Sequence, residues 1–177
     1  MSALAFRPLA LADLEDFAVW LNRPHLRAFY QKRPIQAADV AAKYGAYIRG
    51  EKPTRAHLAL LDGHVFGYLQ CYRIADYPAW AAMTGEREGI GVDLAILDPG
   101  LIGKGLGRRM LGAYLREVAF PLFPDERVCL IAHEIANEAG WRTSLSVGFV
   151  AVRDFLEDGF ATRLFKLERA DFGDCCG

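Results

Sequence analysis

Apolar and polar positions alternate along this chain with two different periods. Residues 4–9, LAFRPL, alternate as a half-buried strand does. In ADLEDFAVWLN the period lengthens, placing Leu14, Phe17, Ala18 and Leu21 on one helical face that Pro24 is expected to end. The Ala-rich stretch IQAADVAAKYGAYIRG predicts a second helix closed by Gly50. AHLALLDGHVFGYLQCYRI holds two β-type runs around Asp62-Gly63, a hairpin signal. Residues 75–88, ADYPAWAAMTGERE, read as a loop long enough to suggest a function. GIGVDLAIL is a strand and leads into a helix from about Gly105 to Ala119, with Leu106, Met110, Ala113 and Tyr114 on one face. RVCLIAH is a buried-looking strand. NEAGWRTSLSVGF is a helix opening on Asn137 and ending at Gly148, and a last hairpin turns at Asp158-Gly159. The order β-α-α-β-β-β-α-β-α-β-β, without repeat or linker, defines one mixed α/β domain over residues 1–170 and a tail over 171–177. Its hairpins require antiparallel pairing, and its β-α-β-α centre requires a parallel pair.

Composition narrows the class. The chain has 177 residues, is 53% hydrophobic and 24% charged, and carries a net charge of -1. That length and mixture suit one globular domain with a real core. The charge disfavours a general nucleic-acid or anionic-membrane binder. No apolar run reaches a bilayer-spanning length and the N-terminus lacks the pattern of a signal peptide, so a cytoplasmic protein is expected. Cys71 and Cys129 lie in apolar runs and read as buried small hydrophobes. Cys175 and Cys176 end the chain, and the spacing of the four predicts neither a disulfide framework nor a metal site.

One stretch does not fit a purely structural account. DPGLIGKGLGRRML places Gly100, Gly103, Gly105 and Gly107 between a strand and a helix. Glycine costs conformational entropy, so such a cluster needs a reason. A helix start offers amide N–H groups without intrahelical partners and the positive end of the helix dipole, which together attract phosphate. Lys104, Arg108 and Arg109 add positive charge. The Walker A pattern fails, because Lys104 is followed by Gly105 and Asp98 stands where the first glycine belongs. The dinucleotide pattern Gly-x-Gly-x-x-Gly fails as well, ending on Arg108 or Met110. A glycine-rich turn that merely seats a helix on a strand is the structural alternative.

IGKGLGRRML resembles the acyl-CoA pyrophosphate loop of the GCN5-related N-acetyltransferases (GNAT), with Gly105 and Gly107 in its two small positions and Ile102 where a Gln or Arg is usual. WLNRPHLRAFY, KRPIQAADVAAKY, FGYLQCY, GVDLAI, GKGLG and the spacing from Asn137 to Gly148-Phe149 resemble the aminoglycoside 6′-N-acetyltransferases and the related siderophore-amine acetyltransferases. The resemblance covers nearly the whole chain. It implies a central, mixed, mostly antiparallel sheet of six to seven strands flanked by about four helices, with parallel central strands splayed for acyl-CoA.

The resemblance also implies roles. The backbone of Ala95, Ile96 and Leu97 would pair with the pantetheine arm of acetyl-CoA as an added strand does. Ile102, Gly103, Lys104, Gly105, Leu106, Gly107 and Arg108 would hold its pyrophosphate. Asn137 would contact the arm or cap its own helix. Ser144 stands where many members carry a tyrosine that protonates the departing thiolate. A thiol pKa of roughly 8.5 makes coenzyme A a fair leaving group without a strong acid.

The reaction implied is acetyl transfer to a primary amine of a small molecule. An alkyl amine of pKa near 10.4 is only about 0.04% neutral at pH 7, so deprotonation costs roughly 4–5 kcal/mol unless a nearby base takes the proton. Asp93, alone in an apolar strand, is the first candidate for that base; a paired structural carboxylate is the alternative. Glu134 and Glu88 are weaker ones. Asp76, Tyr77 and Trp80 could form a substrate wall, to which Trp20, Tyr68 and Tyr72 could add unless they pack in the core. His25 could line the acceptor site, His133 ends a strand near the expected cleft, and His57 and His64 flank the hairpin and are expected to be exposed. The acids of residues 75–88 are few, and Ala132 replaces a further Asp of the antibiotic-modifying members. A smaller amine, such as a siderophore precursor, therefore fits beside an aminoglycoside. Other classes are a non-catalytic acetyl-CoA sensor and a carrier of another phosphorylated ligand. No metal, nucleic acid or membrane is expected, and a monomer or homodimer fits equally.

Overall fold

The computed structural model describes residues 2–173. Seven strands form one mixed sheet in the order β1-β2-β3-β4-β5-β7-β6, built from β1 (Leu4–Pro8), β2 (Arg55–Leu61), β3 (His64–Arg73), β4 (Ile90–Ile96), β5 (Val128–Glu134), β6 (Val150–Glu157) and β7 (Phe160–Glu168). Both hairpin turns fall where the Asp-Gly pairs stand: Asp62 and Asp158 have φ of 50° and their glycines 83° and 85°, the left-handed geometry such turns require. The chain divides into two compact units, Met1–Gln70 with Leu94–Ile102, and Cys71–Asp93 with Gly103–Gly177.

The first unit carries the antiparallel pair β1–β2 and helices α1 (Leu14–Leu21), α2 (Pro24–Phe29) and α3 (Ala37–Ile48). The buried residues of α1 are the predicted four, Leu14, Phe17, Ala18 and Leu21. They join Val40, Tyr44, Leu58 and Tyr68 in a core whose aromatic rings meet edge-on, Phe17 against Tyr44 at 4.8 Å. Pro24 does more than end α1. It occupies the first turn of α2, where a missing N–H costs nothing because that group has no intrahelical partner. His64 is exposed, as expected, but His57 on β2 is only partly exposed, and burial drives its pKa down to about 4.

The second unit contains α4 (Pro78–Thr84), α5 (Leu106–Tyr114), α6 (Phe120–Leu122) and α7 (Glu138–Val147). The expected loop 75–88 is thus largely ordered: a 3-10 turn over Ile74–Asp76 precedes α4, which Gly85 ends at φ 73°. Trp80 explains the helix better than local propensity does, because it packs with Ile74, Leu130, Leu164 and Phe155. The glycine-rich helix starts at Leu106 and passes after Tyr114 through a π turn at Leu115–Ala119 into α6. Cys71 and Cys129 are buried thiols outside any disulfide, and Tyr114 donates its hydroxyl hydrogen to the Cys71 Sγ at 3.2 Å. Cys175 and Cys176 lie outside the described residues. No helix among those residues is long and apolar enough to cross a membrane.

Candidate functional site

The site begins where two parallel strands part. β4 and β5 pair at Ile90–Cys129 and Gly91–Leu130, and the pairing ends there although both strands continue. β5 is held on its other side by β7 along its whole length, from Val128–Glu168 to Glu134–Thr162. Asp93, half-buried, lies just past the point of separation. Side chains alternate along a strand, so Asp93 shares a face with Gly91.

Gly91 is glycine for a steric reason. A Cβ there would stand 2.9 Å from the Tyr72 hydroxyl and closer still to its ring. Tyr72 in turn meets Tyr77 edge-on at 4.9 Å. Burial first, then the charges of Asp93 and Glu157, push the Tyr72 phenol well above its ordinary range. Glu157, at the end of β6, has its pKa raised to about 7, first by burial and then by Asp93, Asp158 and Glu134. Asp93, Glu134 and Glu157 are therefore electrostatic neighbours beside Tyr72 and Tyr77. Glu157 went unnoticed in the sequence because its place depends on the β5–β7–β6 register, which brings Glu134 opposite Thr162 and Glu157 opposite Phe160. The Asp158-Gly159 turn was the available signal. Trp80 is half-buried on α4 against Phe155, while Asp76 and Glu88 are exposed.

Asn137 caps α7, accepting from the Gly140 amide at 3.1 Å, so its structural role is satisfied. Ser144, inside α7, is fully buried and lies 2.7 Å from the His133 Nε2. Burial lowers the His133 pKa to about 4, so the pair is neutral. This His–Ser bond joins two residues eleven apart in sequence, which no local pattern announces.

In the first unit, the end of β4 is held by side chains of α2 and its N-terminal neighbour. Arg23 donates to the Leu97 carbonyl at 2.7 Å, and the His25 ring lies 3.0 Å from the Ile96 carbonyl. The Leu97 amide donates to the Phe66 carbonyl at 2.7 Å; Ala95 and Leu97 are buried, and Leu94 and Ile96 are half-buried. A cavity of about 730 Å³ opens beside this segment, lined by Trp20, Arg23, His25, Val65, Leu97 and Asp98. Trp20 and His25 therefore line a cavity. Tyr68 does not line a wall: it is wholly buried, bonded to Gln70 at 2.8 Å, and is a core residue.

The glycine-rich turn follows β4. Asp98 accepts from the Gly100 amide at 2.9 Å, and the Ile102 amide turns back onto the Pro99 carbonyl at 3.4 Å. Gly103 and Gly105 both take left-handed φ, 77° and 75°, and a Cβ on either would find nothing within 4 Å. Gly105 caps α5. The amides at the head of a helix have no intrahelical acceptor, and the open space at these two glycines suits a ligand that approaches the backbone closely. Lys104 and Arg108 are exposed beside it.

These features coincide with a family match. The sequence matches the family described as Acetyltransferase (GNAT) domain over residues 10–156, and the chain therefore belongs to that family. It is 26% identical over 133 residues to aminoglycoside N(6′)-acetyltransferase type 1 of Klebsiella pneumoniae, covering 73% of this chain and 64% of the relative, and equally to the same-named protein of Serratia marcescens. The matched part thus spans slightly less than two thirds of those relatives. A crystal structure of aminoglycoside acetyltransferase AAC(6′)-Ib in complex with coenzyme A and kanamycin superposes with a TM-score of 0.87 at 20% identity, over 99% of this chain and 100% of that one. The splayed mixed sheet is therefore the GNAT fold.

Proposed function

We propose that this chain transfers an acetyl group from acetyl-CoA to a primary amine of a small, cationic molecule. The observation that carries this reading is the turn at Gly103 and Gly105, whose left-handed φ values and open surroundings present the first amides of α5 to an anion. The residues present fit the carrier. The amides of residues 103–108 and the charges of Lys104 and Arg108 would take its diphosphate, whereas the Leu97 amide and carbonyl and the Ile96 carbonyl already have partners within the first unit and are not open to its pantetheine arm. Ile102 contributes to the turn more than to the anion, since its amide is bonded to Pro99. Bound acetyl-CoA supplies an activated acyl carbon and a thiolate leaving group.

Asp93 acts as the base: it takes the proton that makes the amine nucleophilic. Glu157 and Glu134 hold positive charge on the acceptor, and Tyr72, Tyr77 and Trp80 supply an aromatic wall whose ring faces favour a cation. Ser144 is buried against His133 and is not required as an acid, because the thiol leaves readily near neutral pH. The likeness to aminoglycoside N(6′)-acetyltransferases supports an aminoglycoside 6′-amine as acceptor. The acids of residues 75–88 are sparse, Asp76 and Glu88 exposed and Glu86 paired with Lys166, and with Ala132 they favour a smaller diamine, such as a siderophore precursor.

The test is thiol release from acetyl-CoA with kanamycin-type sugars, polyamines and N-hydroxylysine-type compounds. At least one amine should be acetylated, and Asp93→Asn should lower kcat by about a hundredfold or more, as loss of a positioned base does. Coenzyme A binding without thiol release for any amine would instead support a sensor. Absence of coenzyme A binding would remove the carrier reading altogether.

A further inference from the structure

We propose that Tyr72 is a catalytic hydrogen-bond donor, its hydroxyl pointing at the thioester carbonyl oxygen as that oxygen gains charge. This rests on the acetyl-transfer reading above. Three observations meet at this residue. The phenol end of Tyr72 lies over Gly91, in the space a Cβ would fill, with the hydroxyl 2.9 Å from that point. Gly91 and Asp93 share a face of β4, so the hydroxyl sits one side-chain position from the base, at the point where β4 and β5 part. Tyr72 is half-buried and its oxygen is not among the buried polar atoms left without a partner, so the hydroxyl stays accessible to a bound reactant.

The chemistry selects the acceptor. Asp93 and Glu157 both act electrostatically on Tyr72, yet neither receives its hydrogen. Of the two reactants, the acceptor amine arrives as an ammonium and offers only N–H donors. The thioester offers a carbonyl oxygen. As the amine nitrogen bonds to the acyl carbon, the carbonyl electron pair moves onto that oxygen, and a fixed O–H donor stabilises it there. Asp93 takes the first ammonium proton before attack; the C–S bond then breaks with its electron pair on sulfur, the carbonyl reforms, and the second nitrogen proton goes to the departing sulfur, which leaves as the thiol. Tyr72 keeps its own proton throughout. The environment favours that role, since burial and two neighbouring carboxylates hold the phenol in its neutral form.

The inference is tested with Tyr72→Phe and Gly91→Ala in the full chain. Tyr72→Phe removes one oxygen that bonds to no described residue, so the melting temperature should stay that of the wild type. Its kcat should fall by about a hundredfold, the usual loss for one such donor, with KM for acetyl-CoA changed less than about threefold. Gly91→Ala displaces the phenol and should lower kcat in the same way. A readout independent of turnover is the infrared band of carbonyl-13C acetyl-CoA bound to each protein. The band should lie at lower frequency in the wild type than in Tyr72→Phe. Equal bands, or an unchanged kcat in Tyr72→Phe, would overturn the role of Tyr72 and leave acetyl transfer standing. A wild type that fails to bind acetyl-CoA in calorimetry would overturn both.

Discussion

At the scale of single residues, Asp93, Glu134 and Glu157 act on one another in a partly dry setting. Glu157 shows the consequence. Its ordinary pKa of 4.5 rises to about 7 in the fold. The folded state therefore binds this proton more tightly than the unfolded chain, and raising pH from about 4.5 to 7 favours unfolding. The melting temperature of the wild type, measured against Glu157→Gln, should fall across that window and level off above it. The reference variant matters because His57 and His133, both lowered to about 4, act oppositely: each favours unfolding as pH drops from 6.5 toward 4. That contribution cancels in the comparison. Glu157 should also hold an acceptor ammonium only when ionised, so KM for a cationic amine should fall as pH rises through about 7 and lose that dependence in Glu157→Gln.

Ser144 gives a separate residue-scale prediction. Ser144→Ala leaves the buried His133 Nε2 without its partner, which costs about 1–3 kcal/mol and is read by urea unfolding. Its kcat should remain within about threefold of the wild type, because a thiol of pKa near 8.5 departs without an acid. The Asp93 position was legible in the sequence because one carboxylate interrupts an apolar strand. The His133–Ser144 bond and the part of Glu157 were not, because both arise from pairing across elements.

At the scale of elements, the helix beginning at Leu106 depends on what precedes it. Gly105 caps α5 at φ 75°, a conformation that costs an L-residue about 1–2 kcal/mol. A Cβ there meets no protein atom within 4 Å, so Gly105→Ala should lose about that much stability through the backbone alone. The same methyl would stand where the diphosphate must approach, and calorimetry should show acetyl-CoA binding weakened by tenfold or more. Loss of stability with unchanged affinity would separate the turn from the ligand. Local chemistry announced this element, as it did α1, both Asp-Gly hairpins and the α7 cap. At Pro24 it gave the end of α1 but not the start of α2. It was silent on α4, whose Trp80 is held by the second unit's own core and whose Met83 carbonyl accepts from Arg153 at 3.0 Å.

At the scale of the molecule, the order of strands could be anticipated only through family resemblance. Hairpins fix β2–β3 and β6–β7, but nothing local states that β7 inserts between β5 and β6. That insertion matters for function, because it leaves one side of β5 to β4 and lets the parallel pair end after Gly91–Leu130. The central claim is that the amides following this opening receive the diphosphate of an acyl carrier. Its most direct measurement is the 1H–15N spectrum of the protein titrated with acetyl-CoA. The amide signals of Gly103, Lys104, Gly105, Leu106, Gly107 and Arg108 should move together, with the largest shifts at Gly105 and Gly107, and saturate at one equivalent. Signals that stay in place while acetyl-CoA binds elsewhere, or does not bind, would contradict the account.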